Sequence, residues 1–210
     1  SFPSIVFLFF IWYTMIVSVF KTNFNTGDET TMVYVFLADG FEEIEALGTV
    51  DILRRCELEV KTVSITENLQ VTGSHNISVI ADLVKEDMKE DDIDALVLPG
   101  GIPGADNLEQ CGFVTDLLKR KAAEGKIIAA ICAAPKVLGL IGLLSGVKAT
   151  CYPGYEAKLV GAITKRGDVV CDKNFITSKG AGTTHAFARE IASALGKSIQ
   201  ARRVIKSMQY

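Results

Sequence analysis

Residues 126–135 read KIIAAICAAP, an apolar run that reaches a cysteine and then two alanines and a proline. The run predicts a buried parallel strand over 126–131, and Pro135 suits the first turn of a helix that extends to Leu144. The chain would turn sharply from strand to helix at Cys132, where small neighbouring side chains fit the crowding of a nucleophile elbow. A thiol at a helix N-terminus is favoured as thiolate. The alternative is a small buried core cysteine.

Further apolar strands alternate with helices on both sides of this turn. Strands are predicted at 32–38, 59–65, 69–71, 76–81, 95–98, 147–150, 168–171 and 175–178. Helices are predicted at 41–55, 113–124, 183–195 and 201–206, with a helical turn at 155–159. The alternation indicates a parallel sheet covered on both faces, in one domain over 32–210. Ligands in such folds bind at the carboxyl ends of the strands.

Consecutive glycines follow the strand predicted at 95–98. Pro99, Gly100 and Gly101 end that strand, and glycines allow neighbouring backbone N–H groups to converge on one point. This pattern predicts a cradle for an oxyanion. The alternative is an ordinary loop, and no Gly-Lys-Ser/Thr follows that would make a phosphate-binding P-loop.

Three glutamates open the helix predicted over 41–55. Its apolar residues recur at helical spacing and predict a buried face formed by Ile44, Leu47, Val50 and Leu53. Acidic side chains in a first turn ordinarily complement the helix dipole at the surface, which fits Glu42, Glu43 and Glu45. Glu45 nevertheless lies beside apolar positions, on roughly the same face as Glu42. If it turned inward, its carboxyl would have a raised pKa and could hold a proton.

The two histidines are His75, in a turn, and His185, at the start of a helix. Neither neighbours a cysteine in the sequence, and the spacing predicts no metal-ligand cluster. Both fit a surface or helix-capping position, and a role in a site is the alternative.

Composition and charge exclude several classes of protein. The 210 residues include 22 basic and 25 acidic side chains, a formal net charge of −3, so no basic excess drives binding to nucleic acid. The five cysteines have no CxxC spacing, which argues against a zinc ribbon or a thioredoxin motif. An odd number in a chain of this length predicts free thiols and a reducing compartment, so a cytoplasmic location is expected for 32–210.

The segment Phe2–Phe20 carries no charge, and its 19 residues are near the minimum for a membrane-spanning helix. It is interpreted either as a signal or anchor, or as an extension upstream of a start at Met32. Residues 21–31 are polar and are interpreted as a linker, so 1–31 is set apart from the domain. Membrane attachment or secretion is expected only if this segment is retained.

Four runs in this order carry a resemblance to a known family: ADGFEEIEA at 38–46, ALVLPGGIPGADNL at 95–108, IIAAICAAPKVL at 127–138 and ITSKGAGTTHAFA at 176–188. Together they resemble the ThiJ/PfpI superfamily, most closely its DJ-one branch of protein deglycases. The resemblance covers nearly all of 32–210. It implies a flavodoxin-like three-layer α/β sandwich with a mostly parallel sheet.

The same resemblance implies a set of site residues. The reactive cysteine of the family falls on Cys132, and the glutamate that hydrogen-bonds its thiol falls on Glu45. The oxyanion-type backbone amides fall on Gly100 and Gly101. A homodimer formed partly through the helix at 41–55 is also implied.

The sequence departs from the family pattern at three positions. Tyr152 stands where the DJ-one branch has a histidine near the cysteine, so a Cys–His dyad is not expected there. Ala133 stands where the protease-type branch has a histidine, which disfavours a protease or an amidotransferase. His75 takes the place of a site arginine. Tyr152, Ala133 and His75 are therefore further candidate substrate-binding residues.

Two functions are expected from these residues. The first is a glyoxalase or protein deglycase that protects against oxidative stress, with Cys132 adding to methylglyoxal, glyoxal or their adducts and Glu45 moving protons. This chemistry requires neither cofactor nor metal. The alternative is a non-enzymatic redox sensor or chaperone that responds to oxidation of Cys132 to sulfinic acid. Members of the superfamily are often named for thiazole monophosphate biosynthesis, but the sequence shows no phosphate-transfer machinery.

Overall fold

The computed structural model of the chain describes residues 31–210. The hydrophobic segment predicted at 2–20, and all but the last residue of the predicted linker at 21–31, lie outside the described residues. Within 31–210, no helix combines the length and the apolar character needed to cross a bilayer.

A seven-stranded sheet forms the centre of the domain. Its strands, in chain order, are β1 (Met32–Leu37), β2 (Glu59–Ser64), β5 (Leu83–Val84), β6 (Ile93–Leu98), β7 (Ile127–Ile131), β10 (Val169–Asp172) and β11 (Phe175–Ser178). They lie side by side in the order β10-β11-β7-β6-β1-β2-β5, and every neighbouring pair is parallel except β10 with β11. Two small ribbons accompany the sheet: β3 (Gln70–Thr72) with β4 (Ser78–Ile80), and β8 (Lys148–Ala149) with β9 (Ile163–Thr164).

Helices cover both faces of the sheet. They are α1 (Glu43–Arg55), α2 (Gly104–Gln110), α3 (Gly112–Ala123), α4 (Pro135–Leu140), α5 (Thr184–Ala194) and α6 (Ser198–Ser207). Side chains alternate along β1, so Val33 and Val35 pack with α1, α5 and α6, whereas Tyr34 and Phe36 pack with α3 and α4. The chain therefore has the three-layer, mostly parallel α/β architecture that the sequence predicted.

One helix is shorter than predicted, and another was not predicted. The helix predicted to reach Leu144 ends at Leu140, because Gly142 follows in a left-handed conformation with φ +83°. The sequence analysis missed α2 entirely. This helix is only seven residues long and mostly polar, so it lacks the apolar repeat that marks longer helices.

The buried face of α1 also differs from the prediction. Val50 and Leu53 are buried as predicted, but Ile44 and Leu47 are 60% and 37% exposed. Glu43 and Glu45 are buried in their place. The helix therefore turns its first two glutamates inward and leaves two apolar side chains on the surface.

A buried lysine joins α4 to α2. The ammonium of Lys136 lies in ion pairs with the carboxylates of Asp106 and Glu109, the second at 2.8 Å. Lys136 is almost fully buried, whereas the two carboxylates remain partly exposed. A buried charge that loses its partners is far more costly than an exposed one, because water cannot replace them.

This asymmetry gives a stability prediction. The double variant Asp106→Asn/Glu109→Gln leaves the buried ammonium without a counter-charge, so its free energy of unfolding should fall by about 3 kcal/mol. Lys136→Met leaves two carboxylates that water can still reach and should lower it by only about 1 kcal/mol. Urea unfolding of the three proteins measures both values. A larger loss in Lys136→Met than in the double variant would contradict this account of the cluster.

Candidate active site

Cys132 occupies the sharp turn between β7 and α4. Its φ is +63°, a left-handed conformation that a residue with a side chain adopts at a free-energy cost of about 1–3 kcal/mol. The turn is fixed on one side, because the Cys132 N–H donates to the carbonyl of Ser178 on β11 at 2.8 Å. Ala133 and Ala134 follow, and both are buried. Strain held in this way at the carboxyl end of a central strand is typical of a functional position.

Glu45 projects from the first turn of α1 toward this cysteine. The carboxyl is 1% exposed, and its Oε2 accepts a hydrogen bond from the Gly100 N–H at 2.8 Å. The thiol of Cys132 lies within hydrogen-bonding range of the carboxyl. The other oxygen, Oε1, is buried and has no partner of good geometry among the residues of 31–210. The thiol is thus the group available to complete the hydrogen bonding of this carboxyl.

Gly100 makes the approach of these two groups possible. A Cβ at position 100 would lie 2.6 Å from the Cβ of Cys132 and 2.7 Å from Oε2 of Glu45. Real Cβ atoms do not come so close, so a side chain here would separate the thiol from the carboxyl. The position therefore requires glycine for reasons of space.

The pair is electrostatically coupled. Burial raises the pKa of Glu45 to about 7, and burial followed by the adjacent carboxylate raises the pKa of Cys132 to about 12. Beside an ionised Glu45, the buried sulfur of Cys132 therefore keeps its proton. When the proton lies on Glu45 instead, the repulsion disappears and the carboxyl can donate to the sulfur, which favours the thiolate. At pH values between these two pKa values the pair holds one proton, which can lie on the sulfur or on the carboxyl.

Two backbone amides face the sulfur. The N–H groups of Ala133 and Gly101 lie near it and act to lower the pKa of Cys132, against the larger effects of burial and Glu45. Gly100 and Gly101 were predicted to form an oxyanion cradle, and in this structure the Gly100 N–H is donated to Glu45. Gly101 and Ala133 are the pair of donors that the structure brings to Cys132.

His75 lies in the turn between β3 and β4, and Glu43 anchors it. The Nδ1 of His75 is 2.7 Å from Oε2 of Glu43, and its backbone N–H donates to Oε1 at 2.7 Å. Burial acts to raise the pKa of Glu43, but these hydrogen bonds outweigh it and lower the pKa. The hydrogen bond to Glu43 raises the pKa of His75, whose ring is 68% exposed. The turn is also attached to the segment just before α1, because the Ser74 N–H donates to the carbonyl of Phe41 at 2.8 Å.

This arrangement also corrects the expectation of no metal-ligand cluster. Ligand atoms of Glu42, Glu43 and His75 all lie within 4.8 Å of one another and could hold a cation. Each carboxylate, however, already forms hydrogen bonds within the protein. Glu42 caps α1 by accepting the Glu45 N–H at 2.7 Å, and Glu43 holds His75. Sequence spacing did not predict the cluster, because His75 lies in the turn of the β3–β4 ribbon whereas the two glutamates lie at the start of α1.

Tyr152 and His185 occupy different surroundings. The Tyr152 N–H donates to the Cys132 carbonyl at 2.8 Å, and its ring is 50% exposed in an edge-to-face contact with Tyr155. Tyr152 thus adjoins the cysteine through its backbone. His185 stacks on Tyr210 with ring centroids 4.3 Å apart. No hydrogen bond within the described range connects its side chain to Cys132.

The sequence analysis missed the structural role of Glu43. It was interpreted as a surface complement to the helix dipole, yet it is buried and fixes the position of His75. The single sequence contains no signal of that pairing, because the partners are 32 positions apart.

A left-handed cysteine between a central parallel strand and a helix places the chain among the α/β proteins with a nucleophile elbow. Within that class, the chain belongs to the DJ-1/PfpI family, whose model matches residues 31–194.

Relatives from distant organisms share the domain. The chain is 36% identical to the protein dj-1beta of Drosophila melanogaster over 176 residues, which cover 83% of this chain and 94% of that protein. It is 34% identical to a deglycase of Pyrococcus abyssi over 166 residues, 78% of this chain and 98% of that protein. The match to DJ-1 homolog B of Arabidopsis thaliana, at 34% identity, covers 84% of this chain but 41% of the relative.

Solved structures match the fold as well. The oxidised DJ-1 of Toxoplasma gondii superimposes with a TM-score of 0.82 at 34% identity, covering 86% of this chain and 98% of that one. The sheet order and the helical layers described above are therefore those of a DJ-1 protein.

Proposed function

We propose that the chain is a cysteine-dependent glyoxalase or deglycase that acts on methylglyoxal, glyoxal or their adducts. The observation that carries the proposal is the contact between the Cys132 thiol and the buried Glu45 carboxyl, with the Gly101 and Ala133 amides on the same sulfur. This arrangement provides a nucleophile, a proton carrier with a pKa near 7 and two donors for an oxyanion.

The reaction proceeds through a covalent adduct. The Cys132 thiolate attacks the aldehyde carbon of methylglyoxal, and protonation of the resulting alkoxide by Glu45 gives a hemithioacetal. Glu45 then removes the proton from that carbon, and reprotonation of the adjacent carbon converts the adduct into a lactoyl thioester. Water attacks the thioester, lactate leaves and the thiolate is regenerated. The net reaction is methylglyoxal plus water to lactate plus one proton, without a redox partner.

The same steps accommodate a glycated amine. The Cys132 thiolate displaces the amine from the carbon that bears the hydroxyl group, and the amine departs with the proton that the thiol gave up. The resulting hemithioacetal is the one described above. A deglycase and a glyoxalase therefore differ in what delivers the aldehyde, and both require Glu45 as acid and base.

Lactate formation by the purified chain tests this proposal. Wild-type protein should convert methylglyoxal to lactate, and Cys132→Ser should lower turnover by about a thousandfold or more because the nucleophile is lost. Cys171→Ser is the matched control, since Cys171 is exposed and lies outside the site. Equal turnover in wild type and Cys132→Ser, with both folded, would reject the proposal.

The second candidate function is a redox sensor that is oxidised at Cys132. The same carboxyl and two amides could hydrogen-bond the oxygens of a sulfinic acid, and a similar DJ-1 structure is described as oxidised. Limiting peroxide should therefore oxidise Cys132 before the exposed Cys171, and peptide mass spectrometry reports the order. Earlier oxidation of Cys171 would eliminate this candidate.

The family resemblance also leads us to propose a homodimer that uses α1. Ile44 and Leu47, the two exposed apolar side chains of this helix, offer a surface that a second copy would cover.

The five cysteines are free in the described domain, which fits the proposed cytoplasmic location.

A further inference from the structure

A cavity of about 620 Å³ lies beside the segment that contains Tyr152, and neither Cys132 nor Glu45 lines it. It opens between the segment at 150–156 and the loop at 164–167. This loop joins β9 to β10 on the antiparallel side of the sheet. The proposed mechanism uses none of the residues that line this cavity.

Its charge is predominantly positive. Lys165, Arg166 and Lys179 line it, and Glu156 is the acidic residue in the lining. Lys179 is neutralised by Asp168 at 2.5 Å. Neither Lys165 nor Arg166 forms an ion pair with any residue of the described range. Two adjacent unpaired cations in a concave site of a chain with net charge −3 attract a small anion.

The walls are held in place before any ligand arrives. The Lys165 N–H donates to β8 at 2.8 Å, and the Thr150 hydroxyl donates to the carbonyl of Gly167 at 3.3 Å. The hydroxyl of Ser178 donates to the carbonyl of Asp168 at 2.7 Å. A loop fixed at three points loses little conformational entropy on binding, which favours affinity for a small ligand.

We propose that this cavity binds a small molecule through a phosphate or carboxylate group. The planar guanidinium of Arg166 can donate two parallel hydrogen bonds to such a group, and the Lys165 ammonium adds a point charge. The hydroxyl of Thr164 is a further donor in the lining. Glu156, whose Oε2 accepts the Gly154 N–H at 2.8 Å, disfavours a ligand that is anionic along its whole length.

Backbone amide NMR with inorganic phosphate and with acetate tests the proposal. Phosphate, acetate or both should shift the amide signals of 164–167, with half-saturation in the millimolar range or below. The double variant Lys165→Gln/Arg166→Gln should bind at least about tenfold more weakly. Its side chains are exposed, so the remaining spectrum should be unchanged.

The matched control removes the same charge elsewhere. Arg203→Gln/Lys206→Gln lies on an exposed face of α6 and should bind the anion as wild type does. Equal affinity in the Lys165/Arg166 variant and the wild type would overturn the proposal. So would equal weakening in the α6 control, which would indicate general electrostatic attraction, or the absence of shifts with either ion at about 10 mM.

Discussion

Glu45→Gln should abolish most of the turnover and at the same time stabilise the protein above pH 7. Turnover should fall by about a hundredfold or more, because the amide cannot carry the proton between the two carbons. The free energy of unfolding at pH 8 should rise by about 3 kcal/mol, since the buried carboxyl titrates at about 7 when folded rather than at 4.5. Glutamine retains an oxygen that can accept the Gly100 N–H.

The expected gain in stability of Glu45→Gln follows from the protons that the folded and unfolded wild type bind. Between pH 4.5 and 7 the folded wild type binds a proton at Glu45 that the unfolded chain has released. Wild-type stability therefore falls as the pH rises through this window, and Glu45→Gln should lack that slope. Urea unfolding at several pH values measures the difference. Identical pH profiles for the two proteins would contradict the buried, protonated carboxyl.

Glu43→Gln is the matched control, because Glu43 is also buried on the first turn of α1. Its pKa is lowered rather than raised, through the hydrogen bonds from His75. A carboxylate with a lowered pKa stabilises the fold above its unfolded pKa, so this variant should be less stable than wild type at pH 8. Changes of opposite sign in the free energy of unfolding of the two variants would show that the surroundings of each carboxyl determine the effect. The loss of a charge from α1 alone would change both variants in the same direction.

Gly101→Ala should strongly destabilise the protein. A Cβ at this position would lie 2.5 Å from the Glu42 backbone nitrogen and closer still to the Gly40 carbonyl. The φ of +90° adds left-handed strain for any residue with a side chain. Because both neighbours are backbone atoms that cannot rotate away, we expect a loss of about 4 kcal/mol in the free energy of unfolding.

Gly125→Ala is a control that introduces backbone strain without the steric clash expected in Gly101→Ala. Gly125 has a similar φ of +79°, but nothing lies within 4 Å of the Cβ that alanine would add. This control should lose only about 1–2 kcal/mol, the cost of the left-handed conformation. Urea unfolding compares the two variants. A loss in Gly101→Ala no larger than in Gly125→Ala would remove the steric argument for glycine beside the sulfur.

The sequence predicts the sheet well for a physical reason. Parallel strands buried on both faces, such as 95–98 and 127–131, are continuous apolar runs. They can therefore be recognised from their own residues, without information about the strands beside them. The direction in which α1 faces was not predictable in this way. Its apolar repeat includes Ile44 and Leu47, which the structure leaves exposed, while the fold buries two glutamates.

In the candidate site, too, some residues can be predicted from their neighbours in the sequence and others cannot. Cys132 is identifiable from its own neighbours, because the strand, the alanines and the proline are contiguous. The inward position of Glu45 depends on Gly100, 55 positions away, which donates to its carboxyl. The residues of α1 alone left the surface and inward positions open, and the family resemblance favoured the inward one. Contacts made only in the folded chain determine the remaining details.

The proposed mechanism depends on a proton at Glu45, so the titration of this carboxyl is the decisive measurement. Carbon-13 NMR of the side-chain carboxyls in wild type and Glu45→Gln identifies the Glu45 signal by its absence from the variant. The account predicts a carboxyl that is still protonated at pH 6, with a midpoint at about 7. A midpoint near 4.5 would show an ordinary carboxylate beside Cys132 and would contradict the proposed role of Glu45 as proton carrier.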